Sequence, residues 1–85
     1  MSITILYFAA LREALGTGRE TVELPEGVDS AGQLRNWLRE RGGAWAEALA
    51  ENRSIRIAVD QAMARADTPL RAGAEVAFFP PVTGG

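Results

Sequence analysis

The chain has 85 residues, 47% of them hydrophobic and 24% charged, and a net charge of −2. That length supports one domain with a single modest core, and the slight acidity excludes an electrostatic nucleic-acid binder. Cys and His are absent and all nine basic residues are Arg, which removes thiolate and imidazole catalysis, zinc–thiolate sites and lysine Schiff bases.

Residues 2–8 read as a first strand, with Ile3, Ile5 and Tyr7 on one face and Thr4, Leu6 and Phe8 on the other. No basic residue precedes this apolar start, so it does not resemble a signal peptide. No apolar run approaches the ~20 residues of a membrane span, and a cytoplasmic location is the expectation. Residues 9–15 have a short helical pattern, and Gly16 is placed as its left-handed stop. The Gly16-Thr17-Gly18 run lacks the features of a phosphate loop and reads as a turn. Residues 19–24 alternate, with Val22 and Leu24 inward, so the first two strands are expected to pair as a hairpin.

Ser30 and Gln33 fit a capping box, after which Leu34, Trp37, Leu38 and Arg41 recur at helical spacing. Gly42 and Gly43 end this main helix, and residues 44–50 form a second short one. Trp37 reads as a core anchor at that spacing. Residues 54–60 alternate again, with Ile55, Ile57 and Val59 inward and Arg56 and Ala58 outward. Asp60 and Gln61 begin a turn into a weak strand at 62–64, and Leu70 plugs the core from a loop. Neither Asp60 with Asp67 nor Glu47 with Glu51 makes a convincing acid–base pair, since turns and solvated helix faces explain both.

The last stretch carries the functional signal. The apolar run Val76, Ala77, Phe78, Phe79 makes a buried strand, with Val76 and Phe78 inward and Ala77 and Phe79 outward. It stops at Pro80 and Pro81, which cannot donate to a sheet, and continues as Val82, Thr83, Gly84 and Gly85. From Pro81 to Gly85 an extended chain reaches roughly 13–14 Å. Gly84 and Gly85 let the backbone pass a narrow slot, bringing a terminal carboxylate to a partner's active site. A frayed end is the plainer alternative. The direct join between stalk and core strand favours the reactive tip. Leu6, Phe8 and Phe79 form one apolar docking patch beside the stalk if their strands are neighbours, unless a helix or loop covers them.

The ending 75–85, together with Tyr7-Phe8-Ala9, Leu11-Arg12-Glu13 and Leu15-Gly16-Thr17, resembles the small, sulfur-carrying subunits of molybdopterin synthase. The resemblance implies an α+β, ubiquitin-like β-grasp fold over residues 1–79. A mixed sheet of about five strands packs on one main helix, and residues 80–85 form a reactive tail. It implies that the Gly85 carboxylate, with Gly84 beside it, is adenylylated and converted to a thiocarboxylate that donates sulfur to the cyclic pyranopterin precursor of the molybdenum cofactor. The implied partners are the large catalytic subunit, in a heterotetramer, a ubiquitin-activating-type adenylyltransferase that uses ATP and Mg²⁺, and a persulfide sulfur donor. Leu6, Phe8, Phe79, Pro80, Pro81, Val82 and Thr83 become partner-binding residues. No permanent cofactor, metal site, nucleic acid or membrane is expected, and the chain is not catalytic alone. The alternatives are a sulfur carrier for thiazole synthesis, a ubiquitin-like protein modifier, and an interaction module with an inert tail.

Overall fold

Alternation in the first strand decides which side of the sheet becomes the core. In the computed structural model, which describes residues 1–81, Ile3, Ile5 and Tyr7 are fully buried while Leu6 and Phe8 are not. The elements run β1 (Ser2–Tyr7), α1 (Ala9–Leu15), β2 (Arg19–Glu23), α2 (Ala31–Arg39), α3 (Gly43–Ala48), β3 (Arg56–Val59), β4 (Ala62–Met63) and β5 (Glu75–Phe79). The described residues form a five-stranded mixed sheet in the order β2-β1-β5-β3-β4. Its centre is the parallel pair β1–β5, and the remaining pairs are antiparallel. This is the expected β-grasp arrangement. Val76 and Phe78 from β5, Leu34 and Leu38 from α2, Leu49 after α3 and Leu70 from a loop complete the core around β1.

Element edges move by a residue or two from the sequence expectation, for local reasons. Phe8 keeps an extended backbone but serves as N-cap of α1, so β1 ends at Tyr7. Gly16 closes α1 in the left-handed conformation, φ 72°, and its N–H donates to the Arg12 carbonyl. The α2 helix stops at Arg39, which leaves Arg41 in the turn to α3. At its start Ser30 Oγ accepts from the Gln33 N–H at 3.3 Å, and Gln33 Oε1 accepts from the Asp29 N–H at 2.9 Å. The next two donors, the N–H groups of Ala31 and Gly32, go to the carbonyls of Thr68 and Ala66. A Cβ on Gly32 would lie 3.0 Å from both Cβ and O of Ala66, a tight contact that glycine avoids.

One polar group points toward the core side and is met there. Glu20 shares the parity of Val22 and pairs with Ile5 across the β1–β2 ladder. Its carboxylate accepts a 2.8 Å bond from the Tyr7 hydroxyl and two 2.9 Å bonds from the Arg41 guanidinium. Arg41 also lies 4.3 Å from the Trp45 ring centroid, and Trp45 sits edge-on to Tyr7 at 5.4 Å. Burial pushes the Glu20 carboxyl up, but the bonds from Arg41 and Tyr7 and the Arg41 charge outweigh it and hold the pKa below 4.5. Burial and the bond to Glu20 push the Tyr7 phenol well above its ordinary range. Trp37, the expected core anchor, is only half-buried against this cluster.

A depressed folded-state pKa stabilises above the unfolded value of 4.5 and is lost as pH falls through the folded one. Glu20→Gln should cost about 1–2 kcal/mol at pH 7, and the gap to wild type should close below pH 4.5 in urea melts. A gap independent of pH would contradict the charged ring.

The β3–β4 hairpin turns on Asp60 and Gln61, both at positive φ (49° and 70°), between the paired residues Val59 and Ala62. That is a type I′ turn, which prefers glycine at its second position. Gln61→Gly is expected to raise stability by about 0.5–1 kcal/mol, shifting the melting point up by a few degrees in a domain of this size.

Candidate functional site

Sheet register determines what the outward face displays. Leu6 stands opposite Ala77, Ala77 opposite Ala58, and Ala58 opposite Met63, one unbroken apolar row across β1, β5, β3 and β4. A second row lies one step nearer the tail. Phe79 pairs with Arg56, and Phe8, whose N–H donates to the Phe78 carbonyl at 3.1 Å, continues β1 beside it. None of these side chains is buried, and Phe8 and Met63 are 48% and 60% exposed. The structure thus places Leu6, Phe8 and Phe79 on neighbouring strands, with Phe8 exposed and Leu6 and Phe79 partly buried. Ala9, next after Phe8, has φ 53°, an uncommon conformation for alanine, and turns the chain from strand into helix at that point.

The face runs directly into the tail. Phe79 ends β5, and Pro80 and Pro81 follow, both partly buried. Val82, Thr83, Gly84 and Gly85 lie outside the described residues. The parallel β1–β5 pair holds the root of the tail in the middle of the sheet rather than at an edge. The acidic residues singled out in the sequence assemble no metal site among the described residues, where no group of three or more His, Cys, Asp or Glu is arranged to hold an ion. Asp60 accepts the Glu75 N–H at 3.0 Å, and Asp67 lies 3.9 Å from Arg65, so both aspartates serve turns. No helix among the described residues is long and apolar enough to cross a membrane.

The ThiS family matches residues 5–85, nearly the whole chain including the tail. The chain belongs to the ThiS family. It is similar to the molybdopterin synthase sulfur carrier subunit of Escherichia coli, 41% identical over 98% of this chain and 99% of that one. The subunit of the same name from Haemophilus influenzae is 35% identical, again over 98% of this chain and 99% of that one. Among solved structures it is similar to SAMP1 from Haloferax volcanii, with a TM-score of 0.81 and 26% identity over 100% of both chains. The ubiquitin-like β-grasp fold is therefore that of this ThiS-family chain.

Sequence reasoning missed Met63, Ala58 and Ala77 as members of the face. Alternation put Ala58 and Ala77 outward, which was the available signal. Met63 had none, because its place depends on the β3–β4 register.

Side-chain direction separates two adjacent aromatics of this ThiS-family chain. Phe8→Asp should change stability by less than about 1 kcal/mol, as a surface substitution does. Tyr7→Asp should unfold the domain, because it buries an unpaired carboxylate and opens the Glu20 ring. Circular dichroism melts of the two variants check this.

Proposed function

We propose that this chain is the sulfur carrier subunit of a molybdopterin synthase, with the Gly85 carboxylate as the group that carries sulfur. The observation that carries the reading is the apolar outward face of β1, β5 and β3, with Phe8 exposed on it, leading into Pro80 and Pro81. The names of the full-length relatives support it. An exposed face of this kind suits a lasting protein partner, here the large catalytic subunit in a heterotetramer, with Leu6, Phe8, Phe79, Pro80, Pro81, Val82 and Thr83 at the contact.

The chemistry follows from what the chain lacks. A carboxylate is a poor electrophile, so the tip must first be activated. A ubiquitin-activating-type adenylyltransferase, using ATP and Mg²⁺, lets the Gly85 carboxylate attack the α-phosphate and expel pyrophosphate. The terminal sulfur of a persulfide on another protein then displaces AMP, forming an acyl disulfide. A thiol cleaves its S–S bond, forming a new disulfide and leaving the Gly85 thiocarboxylate. In the large subunit that sulfur adds to an electrophilic carbon of the cyclic pyranopterin precursor. Water then cleaves the bond between sulfur and the Gly85 carbonyl, leaving the sulfur on the precursor and returning the carboxylate. With no Cys, His or Lys in this chain, the sulfur donor and the acid–base groups belong to partners. The cytoplasm, where ATP is available, is the compartment this scheme requires.

A second reading, attachment to target proteins as a modifier, is favoured by the likeness to SAMP1, a small archaeal modifier protein. Intact mass of the protein isolated from its own cell separates the two. An oxygen-to-sulfur exchange located at Gly85 is expected of the carrier, and a conjugate to a target lysine of the modifier.

Deleting Gly85 shortens the reach by ~3.3–3.6 Å, and a misplacement of ~1 Å can cost ~100-fold in rate. The deletion, and Gly84→Val by crowding the slot, should abolish ATP–pyrophosphate exchange with the activating enzyme while leaving the melting point unchanged. Near-normal exchange by the Gly85 deletion would falsify the proposal.

A further inference from the structure

A second apolar feature lies beside the root of the tail, on the helical side. A cavity of about 350 Å³ opens between α1, α3 and the chain entering β3, and Pro80 forms part of its wall. Its shape follows from the sequence of the two helices. Ala10 and Ala14 lie one turn apart on α1, and Ala44 and Ala48 lie one turn apart on α3, so each pair occupies one stripe of its helix. Where those stripes meet, four methyl groups stand where interlocking leucines would close the gap. Ala10, Ala14 and Ala44 are exposed, so the hollow is open to solvent. The fold therefore leaves apolar burial unused here, as it does on the outward face of the sheet.

Position indicates what would use it. Phe8 directly precedes α1 and Phe79 directly precedes Pro80, so the outward face and the cavity flank the same short segment of chain. A protein that takes in the tail must close around Pro80 and Pro81 and thereby covers both. On the rim, the guanidinium of Arg53 lies 3.8 Å from Glu47, beyond hydrogen-bond distance, and both side chains are more than half exposed. That arginine remains available to an anion arriving with the partner. The volume is at the small end of ligand-sized pockets and suits one large side chain. Stable interfaces anchor on such a side chain seated in a desolvated pocket, whereas the brief encounter of adenylylation has less need of one.

We propose that the alanine-lined cavity between α1 and α3 is a socket for one bulky apolar side chain of the large synthase subunit, flanked there by a carboxylate that pairs with Arg53. The proposal rests on the carrier reading above and adds a second anchor on the opposite side of the tail from the sheet face.

The test uses the large subunit from the same organism and full-length carrier. Ala14→Phe fills the cavity from an exposed helix position. It is expected to weaken binding tenfold or more in calorimetry without lowering the melting point. Arg53→Ala should weaken binding several-fold and reduce its dependence on salt. Methyl NMR of the wild-type protein supplies a readout that needs no variant. The signals of Ala10, Ala14, Ala44 and Ala48 should shift or broaden when the large subunit is added. Unmoved alanine methyls, or wild-type affinity for a folded Ala14→Phe, would overturn the socket. If Phe8→Asp still weakens binding in that case, the carrier reading stands without the socket. Normal binding by both Ala14→Phe and Phe8→Asp would remove the docking account as a whole.

Discussion

The ring formed by Tyr7, Glu20, Arg41 and Trp45 is the constraint on which the arrangement of elements depends. It links the central strand to its edge neighbour through Tyr7 and Glu20, then to the turn after α2 through Arg41, and returns by way of α3 through Trp45. Every member has a partner on each side, and no buried side-chain N or O among the described residues lacks one. A carboxylate at an inward position would ordinarily be costly. Here the planar guanidinium meets it in a two-pronged bond while the tryptophan ring covers the other face of the same cation. Because Tyr7 also stacks on Phe78 at 6.0 Å, the ring reaches the strand that bears the tail.

Rigidity at that strand gives the tail its meaning. The proposed delivery of a terminal group to a partner requires a root that is fixed relative to the rest of the domain. In this chain the last strand is central and bonded on both sides, to β1 and to β3, so the root and the face of Leu6, Ala77 and Ala58 are one rigid body. Arg35 holds the segment between α3 and β3. Its guanidinium donates to the carbonyls of Leu49, Ala50 and Arg53 and ties α2 to the segment that leads into β3. That carbonyl cluster follows α3, so the same arginine steadies one wall of the alanine-lined cavity.

The sheet is built with unequal faces. On one side Ile3, Ile5, Tyr7, Val76 and Phe78 are buried in the core, and on the other an apolar row is only partly buried, with Met63 exposed. A row of this kind invites unwanted association. Arg19, paired with Leu6 on the β2 side, and Arg56, paired with Phe79 on the β3 side, border it with charge. Guanidinium groups around an apolar centre disfavour unspecific apolar association.

The sequence by itself determined the elements and their faces, because those depend on periodicity within a few residues. Alternation in β1 and β5 separated Tyr7 from Phe8 and Phe78 from Phe79, and Gly16 and Ser30 marked helix ends by local hydrogen bonding. The end of the last strand was legible too, since the prolines after Phe79 cannot donate to a sheet ladder. Only the tertiary structure decided which distant residues share a surface. Glu20 and Arg41 are 21 positions apart, and no local pattern pairs them. Met63 joins the apolar outward face through the β3–β4 register, and the alanines of α1 and α3 become a cavity only where the two helices meet. Register and helix contact are set by the whole core closing at once, so they leave no mark within any single stretch of the chain.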